Sequence, residues 1–460
     1  MDQKYKTGRN GKVDMLNGPL LPNIIKFTIP LMLSSILQLL FNAADIVVVG
    51  QYAGDSSLGA VGCTGSLINL LTNLFVGLSV GTGVLVARYF ASKQNKKLKD
   101  TIQTSMCISL ISGIVLAIVG VTFARPILVL MNAKNAILDK AVIYLTIYFL
   151  GMPSMMVYNF GSSILRSVGD TRRPLVYLTI SGALNVCLNL LFVIVFQMDV
   201  AGVALATILS QTLSAVLVVL CLVREKGELH FDILHPYVDL SRLKRIARIG
   251  LPAGFQGVIF SLANVVIQSS VNDLGDLVIE GNSIAMNIEG FVYVSMNAFH
   301  HAAISFTSQN LGAGKQNRIR PIFWTVEASV ITVGTVLGYI ALFFGRPLLG
   351  IYSGNPEIVD AGMVRLWMIM STYLLCGMMD VCVGSIRGMG YSIMPTIVSL
   401  IGACFLRLIW LWTVFPIPRF HNASMIYITY PLSWALTFSV HLICFLILSR
   451  KFKENRQKNA

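Results

Sequence analysis

The chain is 460 residues long, 55% hydrophobic and only 12% charged, where soluble domains average roughly 25% charged residues. A mean hydropathy of +0.72 excludes a soluble fold, so the net charge of +14 has to be explained on a membrane protein. Apolar runs of about twenty residues, each long enough to cross a hydrocarbon core, recur along the chain. There are twelve, centred near Leu37, Leu74, Ser112, Leu150, Leu184, Ser210, Ser261, Ser295, Val333, Tyr373, Ala403 and Ala435.

The first run follows a polar start and is too long for a removable signal peptide, so it is expected to be retained. It contains Pro30, which removes a backbone hydrogen bond and marks a candidate hinge. Beyond it, Ser34, Gln38, Asn42 and Asp45 are spaced 4, 4 and 3, which puts them on one helix face. A carboxylate in mid-membrane costs about 2.5–3.5 kcal/mol even on lenient insertion scales. An amide would suffice to hydrogen-bond a neighbouring helix, at about 0.6 kcal/mol per contact. Keeping the costlier acid therefore points to proton or cation chemistry at Asp45. Similar polar stripes recur as Ser66, Asn69 and Asn73 in the second run, Ser181, Asn185 and Asn189 in the fifth, and Thr207, Gln211 and Ser214 in the sixth. Taken singly, these read as interhelical hydrogen bonding. Beside Asp45 they also supply the hard oxygens that suit a sodium ion.

A polar join follows, and its end, LSRLKRIARIG, alternates apolar and basic residues at helical spacing, as in a helix lying on the cytoplasmic surface. Pro252 in the seventh run is a second candidate hinge. In the eighth, Asn282, Met286, Glu289, Tyr293, Met296 and His300 form one stripe at spacings of 4, 3, 4, 3 and 4. Asp380 lies in the tenth run and Arg407 in the eleventh. These read either as the wall of a substrate cleft, with acids for a cation and Met and Tyr for adaptable apolar contact, or as an ion pair of Arg407 with Glu289 or Asp380. His300 and His301 are expected at an interface.

The halves repeat. Pro30, Asn42 and Lys93-Gln94-Asn95 recur 222 residues later as Pro252, Asn264 and Lys315-Gln316-Asn317. Arg125-Pro126, Asn159, Arg166, Gly169 and Pro174 recur 221 later as Arg346-Pro347, Asp380, Arg387, Gly390 and Pro395. Two lobes, 1–235 and 236–460, follow from this duplication. Six spans in each is an even number, so both enter the membrane in one orientation, around a central cleft.

Charge placement agrees with that topology. With a cytoplasmic N-terminus, 28 of the 35 Lys and Arg fall in the termini and inward loops and 6 in the outward loops, Arg365 among them. This is the positive-inside bias, with both termini cytoplasmic, rather than nucleic-acid binding. The eight cysteines lie in apolar segments with no metal-binding or redox spacing. No HExxH, GxSxG or phosphate-loop motif occurs, so an enzyme is not expected.

The segments MLNGPLLPNIIKFTIP, QLLFNAADIVVVG, LRSVGDTRRP, DVAGVALATILSQ, QNLGAGKQ and SIRGMG resemble the multidrug and toxic compound extrusion (MATE) family, across residues 15 to 449 and in both lobes. The resemblance implies an all-α fold of twelve transmembrane helices in two six-helix bundles facing a central cavity. It also implies export of cationic or amphipathic compounds in exchange for protons or sodium ions. Carried over by position, Asp45 falls on the first-helix aspartate of the DinF-like branch. Asn185 and Thr207 fall on its cation-site positions, Asn159 on a neighbouring asparagine, and Pro30 on the proline proposed to bend. Asn189 stands where that branch often has a second aspartate, and Phe260 where the NorM-like branch has a glutamate. The expectation is a monomeric inner-membrane antiporter for organic cations, without cofactor. The alternative is a flippase for a lipid-linked precursor.

Overall fold

A computed structural model of the chain describes residues 12–458, apart from 54 and 131–134. Cys63, Ser66 and Lys134 lie outside the described side chains. Among the described residues there is helix but no strand. The first half comprises α1 (Leu20–Tyr52), α2 (Asp55–Ala91), α3 (Asn95–Leu130), α4 (Asn135–Leu150), α5 (Met152–Ser167), α6 (Arg172–Asn189) and α7 (Asp199–Arg224). The second comprises α8 (Leu240–Asn272), α9 (Asp276–Gly312), α10 (Ile319–Phe343), α11 (Gly345–Gly350), α12 (Pro356–Met370), α13 (Leu374–Gly388), α14 (Ile393–Ser399), α15 (Leu406–Thr413), α16 (Ala423–Tyr427) and α17 (Thr429–Lys458).

The duplication is visible in the elements. Helices α1 and α8 have 33 residues each, α2 and α9 have 37 each. The fourth and tenth apolar runs both break at their centres, into α4 and α5 at 47° and into α12 and α13 at 46°. At the first break Pro153, in the opening turn of α5, has no N–H to continue the ladder. Each half also contains one π-helical turn, at Leu190–Val195 after α6 and at Leu400–Phe405 between α14 and α15.

Nine helices among the described residues are long and apolar enough to cross a membrane, or eleven with each bent pair as one span. The remaining expected run, centred on Ser295, is α9, which is long enough but carries Glu289, His300 and His301. This is an all-helical, multi-pass membrane protein with two repeated halves.

One structural detail differs from the sequence expectation. The basic stretch after Leu240 is not a separate surface helix, because it runs without a break into α8. Pro30 and Pro252 lie inside α1 and α8.

The chain separates into two compact units. One holds Asp14–Met32 and Ile259–Ala460, the other Leu33–Val258 with Lys12 and Val13. This division is not the one at residue 235, since α1 and α8 each contribute to both units. In the first unit, Phe27 meets Phe306 edge-on at 5.6 Å and Phe323 stacks on Phe445 at 3.9 Å. In the second, α2 and α8 touch backbone to backbone. A Cβ on Gly77 would lie 2.3 Å from the Gly254 nitrogen, and one on Gly81 2.4 Å from the Ile246 carbonyl oxygen. Small residues that let membrane helices approach this closely gain dispersion contacts that lipid cannot supply.

Outside the spans, Glu225 is clamped by Lys12 at 3.0 Å and Arg173 at 3.1 Å. Burial pushes its carboxyl up, but the hydrogen bonds and charges of Lys12 and Arg173 outweigh this and hold it below the usual range. A carboxyl depressed on folding stabilises above its ordinary pKa, about 4.3, and loses that contribution as pH falls through its folded value.

Two outcomes are expected. Gly77→Leu, which must push α2 off α8, should lower the thermal midpoint of the detergent-solubilised protein by several degrees. Gly62→Ala, at a position with nothing within 4 Å, should not; equal midpoints would refute the close-packing account. Glu225→Gln should cost about 1 kcal/mol near neutral pH and little below pH 4, read from denaturation at several pH values.

Candidate functional site

The second unit gathers polar groups around Asp45. One carboxylate oxygen accepts a short hydrogen bond from the Asn189 side-chain amide, and the other accepts from Thr207 Oγ1 at 3.5 Å. Asn189 also donates to Asn185 Oδ1 at 3.3 Å. Asn185 and Asn189 are buried, and among the described residues no donor reaches the Asn189 Oδ1. Three helices meet here, and Gly182 is what lets them do so. A Cβ at that position would sit 1.8 Å from the Phe41 ring of α1. Gly182, Asn185 and Asn189 share a face of α6, so the close approach at Gly182 carries both asparagines toward α1. Thr207 on α7 also lines a small cavity with Tyr148, Met155, Ile208 and Gln211. The assembly offers carboxylate, amide and hydroxyl oxygens, which are hard donors that suit a proton or a sodium ion.

Not all of the predicted stripe takes part. Gln38 and Asn42 are exposed and neither hydrogen-bonds Asp45. Gln38 shares a face with Asp45 but lies seven residues, about 10 Å, further back along the axis, too far to reach the contact that Asp45 makes. The Asn159 amide donates to the Met155 carbonyl of its own helix at 2.9 Å.

The first unit contains a second constellation. Arg365 on α12 donates to both oxygens of Glu289 at 2.6 and 2.8 Å and to Asn282 Oδ1 at 2.7 Å. Tyr427 donates to the same Asn282 oxygen at 3.2 Å. The Arg365 guanidinium lies 5.3 and 5.5 Å from the Tyr427 and Tyr430 ring centroids. Of the two acids considered for Arg407, Glu289 is paired with Arg365 instead. Arg365 itself is 4% exposed and is not a loop residue. It sits inside a helix, and moving it there leaves five Lys and Arg in the outward loops.

The eighth-run stripe divides. Asn282, Glu289 and Met296 are buried, while Met286 and Tyr293 are 46% and 40% exposed. Met296 is packing, its sulfur lying against Gly334 and Gly377. His300 is not interfacial: it is buried in α9, with Nδ1 2.7 Å from the Asp380 carbonyl oxygen. That bond ties α9 to α13, where Asp380 is half-buried. The seven described cysteines are unpaired, and among the described residues no group of His, Cys, Asp and Glu could hold a metal.

Comparison with known proteins accounts for the doubled architecture. The family model described as MatE matches twice, over residues 30–191 and 252–413. The chain belongs to the MATE family. The YpnP protein of Bacillus subtilis, named a probable multidrug resistance protein, is 27% identical over 86% of this chain and 88% of its own. The multidrug export protein MepA of Staphylococcus haemolyticus is 22% identical, covering 82% and 83%. The FAD transporter of Shewanella oneidensis is 23% identical, covering 75% and 77%. A crystal structure described as MATE in the bent conformation superposes with a TM-score of 0.87 over 95% of this chain and 97% of its own, at 20% identity. This MATE protein is accordingly a transporter of the multidrug efflux family and not an enzyme. The flippase alternative is not favoured.

Sequence reasoning missed Arg365, Tyr427 and Gly182. Arg365 carried a signal, a lone cation inside the apolar run AGMVRLWMIM. Tyr427 carried none, since nothing local distinguishes it.

Arg365→Met and Glu289→Gln should each destabilise by about 3–5 kcal/mol, because each strands a buried charge. The double replacement by methionines should cost far less than the sum. Chemical denaturation in detergent measures this, and strictly additive losses would show that the pair is not coupled.

Proposed function

We propose that this MATE protein is a secondary antiporter, exporting cationic or amphipathic organic compounds in exchange for protons or sodium ions by alternating access. The observation that carries the reading is the oxygen cluster of half-buried Asp45 and Thr207 with buried Asn185 and Asn189. An acid held within reach of one hydroxyl and one amide, with an unused amide oxygen beside it, can bind a small cation reversibly. At a membrane potential of 100 mV each elementary charge moving inward supplies about 2.3 kcal/mol, enough for a gradient of roughly fiftyfold.

Pro30 and Pro252 act in this scheme as hinges. In each helix the proline is followed within two turns by the residue at which the chain passes from one unit to the other, Met32 and Val258. Asp45 supports placement nearer the DinF-like than the NorM-like branch. The excess of inward basic residues supports an inner-membrane protein with both termini cytoplasmic. The relatives' names extend from multidrug exporters to an FAD transporter, so the charge of the cargo has to be argued from this chain's own side chains.

Purified protein in liposomes should move a fluorescent lipophilic cation against its gradient when either a proton or a sodium gradient is imposed. Asp45→Asn should lower the rate at least about tenfold, whereas Asn159→Ala should stay within about twofold. Undiminished transport by Asp45→Asn would remove Asp45 from the coupling step.

A further inference from the structure

Arg407 on α15 is 4% exposed and lies in a segment that crosses the membrane. Its Nε donates to Ser433 Oγ at 2.8 Å, and Ser433 in turn donates to the Tyr430 carbonyl at 2.9 Å. The guanidinium carbon is 4.1 Å from the Tyr430 ring centroid and 5.5 Å from that of Trp434. Trp434 also packs against Tyr373 at 5.4 Å. Two aromatic rings and one serine thus fix the position of the cation, and Tyr373 backs one of the rings. Among the described residues, however, the Nη2 of the guanidinium is buried without a hydrogen-bond partner, and no carboxylate pairs with Arg407. Glu289 cannot serve, since both its oxygens and the Asn282 oxygen are committed to Arg365. Tyr430 therefore stands between two guanidinium groups, of which one has a counter-ion and one does not.

A clamp between α15 and α17 would account for the Ser433 bond and the ring contacts. It would not account for an arginine, because a neutral side chain would hold the same helices without burying an unmatched charge. A positioned guanidinium with an unused Nη edge recognises a planar oxyanion, and the flanking rings suit an aromatic or amphipathic body attached to it. We infer that Arg407, Tyr430 and Trp434 form a substrate subsite for a carboxylate, so that preferred cargoes carry an acidic group together with their cationic, aromatic part. The subsite fills the missing counter-ion with the cargo itself, as Glu289 does for Arg365. The inference rests on the export reading for its biological role, though not for its chemistry.

A matched dye pair tests it. Tetramethylrhodamine carries a free carboxylate, and its methyl ester replaces that charge with a neutral group one methyl larger. Equilibrium binding to the purified protein, followed by fluorescence polarisation, should favour the acid by about tenfold in Kd. Arg407→Gln should remove the preference by weakening the acid while leaving the ester within about twofold. Arg407→Lys, which keeps the charge and loses the planar fork, should fall between them. Equal affinity for the two dyes in the wild-type protein overturns the subsite, whether or not the variants fold. An equal loss for both dyes in Arg407→Gln overturns it as well, since that is the signature of a structural clamp. If the acid binds preferentially but liposomes export neither dye, the subsite stands and the export reading fails.

Discussion

Burying charge where there is no water constrains this protein more than any other demand. In a soluble protein an unmatched carboxylate or guanidinium can turn to solvent, but inside a bilayer it has to find donors, acceptors or a counter-ion in the neighbouring helices. Two solutions appear here. Around Asp45 the partners are neutral amides and a hydroxyl, which stabilise the acid without cancelling it. Around Glu289 the partner is Arg365, which cancels it with two parallel hydrogen bonds. The first arrangement leaves the acid's charge uncancelled, and the second neutralises it. The two halves, which descend from one plan, have thus placed opposite electrostatics on comparable scaffolds.

The scaffolds follow the same logic. Helices come close where a missing side chain allows it, as at Gly77 and Gly182, and the site side chains are delivered by those approaches. The Asp45 cluster depends on Gly182 as much as on the asparagines. A polar residue on a membrane helix is useful only where a neighbouring backbone can be brought within hydrogen-bonding range of it.

Much of this was legible beforehand. Twelve apolar runs, the duplicated landmarks and the single acid among apolar residues are patterns of composition and period, which a chain displays without folding. Asn185, Asn189 and Thr207 could be matched to Asp45 because each lies on a polar stripe. What could not be read was partnership across helices. Gln38 and Asn42 share a stripe with Asp45 yet do not reach its cluster, because a stripe several turns long faces more than one neighbour. Glu289 has its arginine on α12 and not on α15. Choosing between them needed interhelical distances that no spacing encodes. Arg365 was mistaken for a loop residue because the tenth run breaks near its middle, which obscured where its helix begins.

The helix break between α10 and α11 also says something about how the duplication diverged. The landmarks are 222 residues apart up to Lys315-Gln316-Asn317 and 221 apart from Arg346-Pro347 onward, so one residue has gained or lost its counterpart between them. In an unbroken helix such a change rotates everything downstream by about 100°. The first half runs continuously here as α3, whereas the second stops at Phe343 and restarts at Gly345. The interruption falls within the stretch where the offset arises. Downstream, the bent spans keep the same angle to within a degree. An insertion or deletion survives in a membrane bundle where a helix can be re-phased, which makes such joints the places where related chains can differ in length without losing their sites.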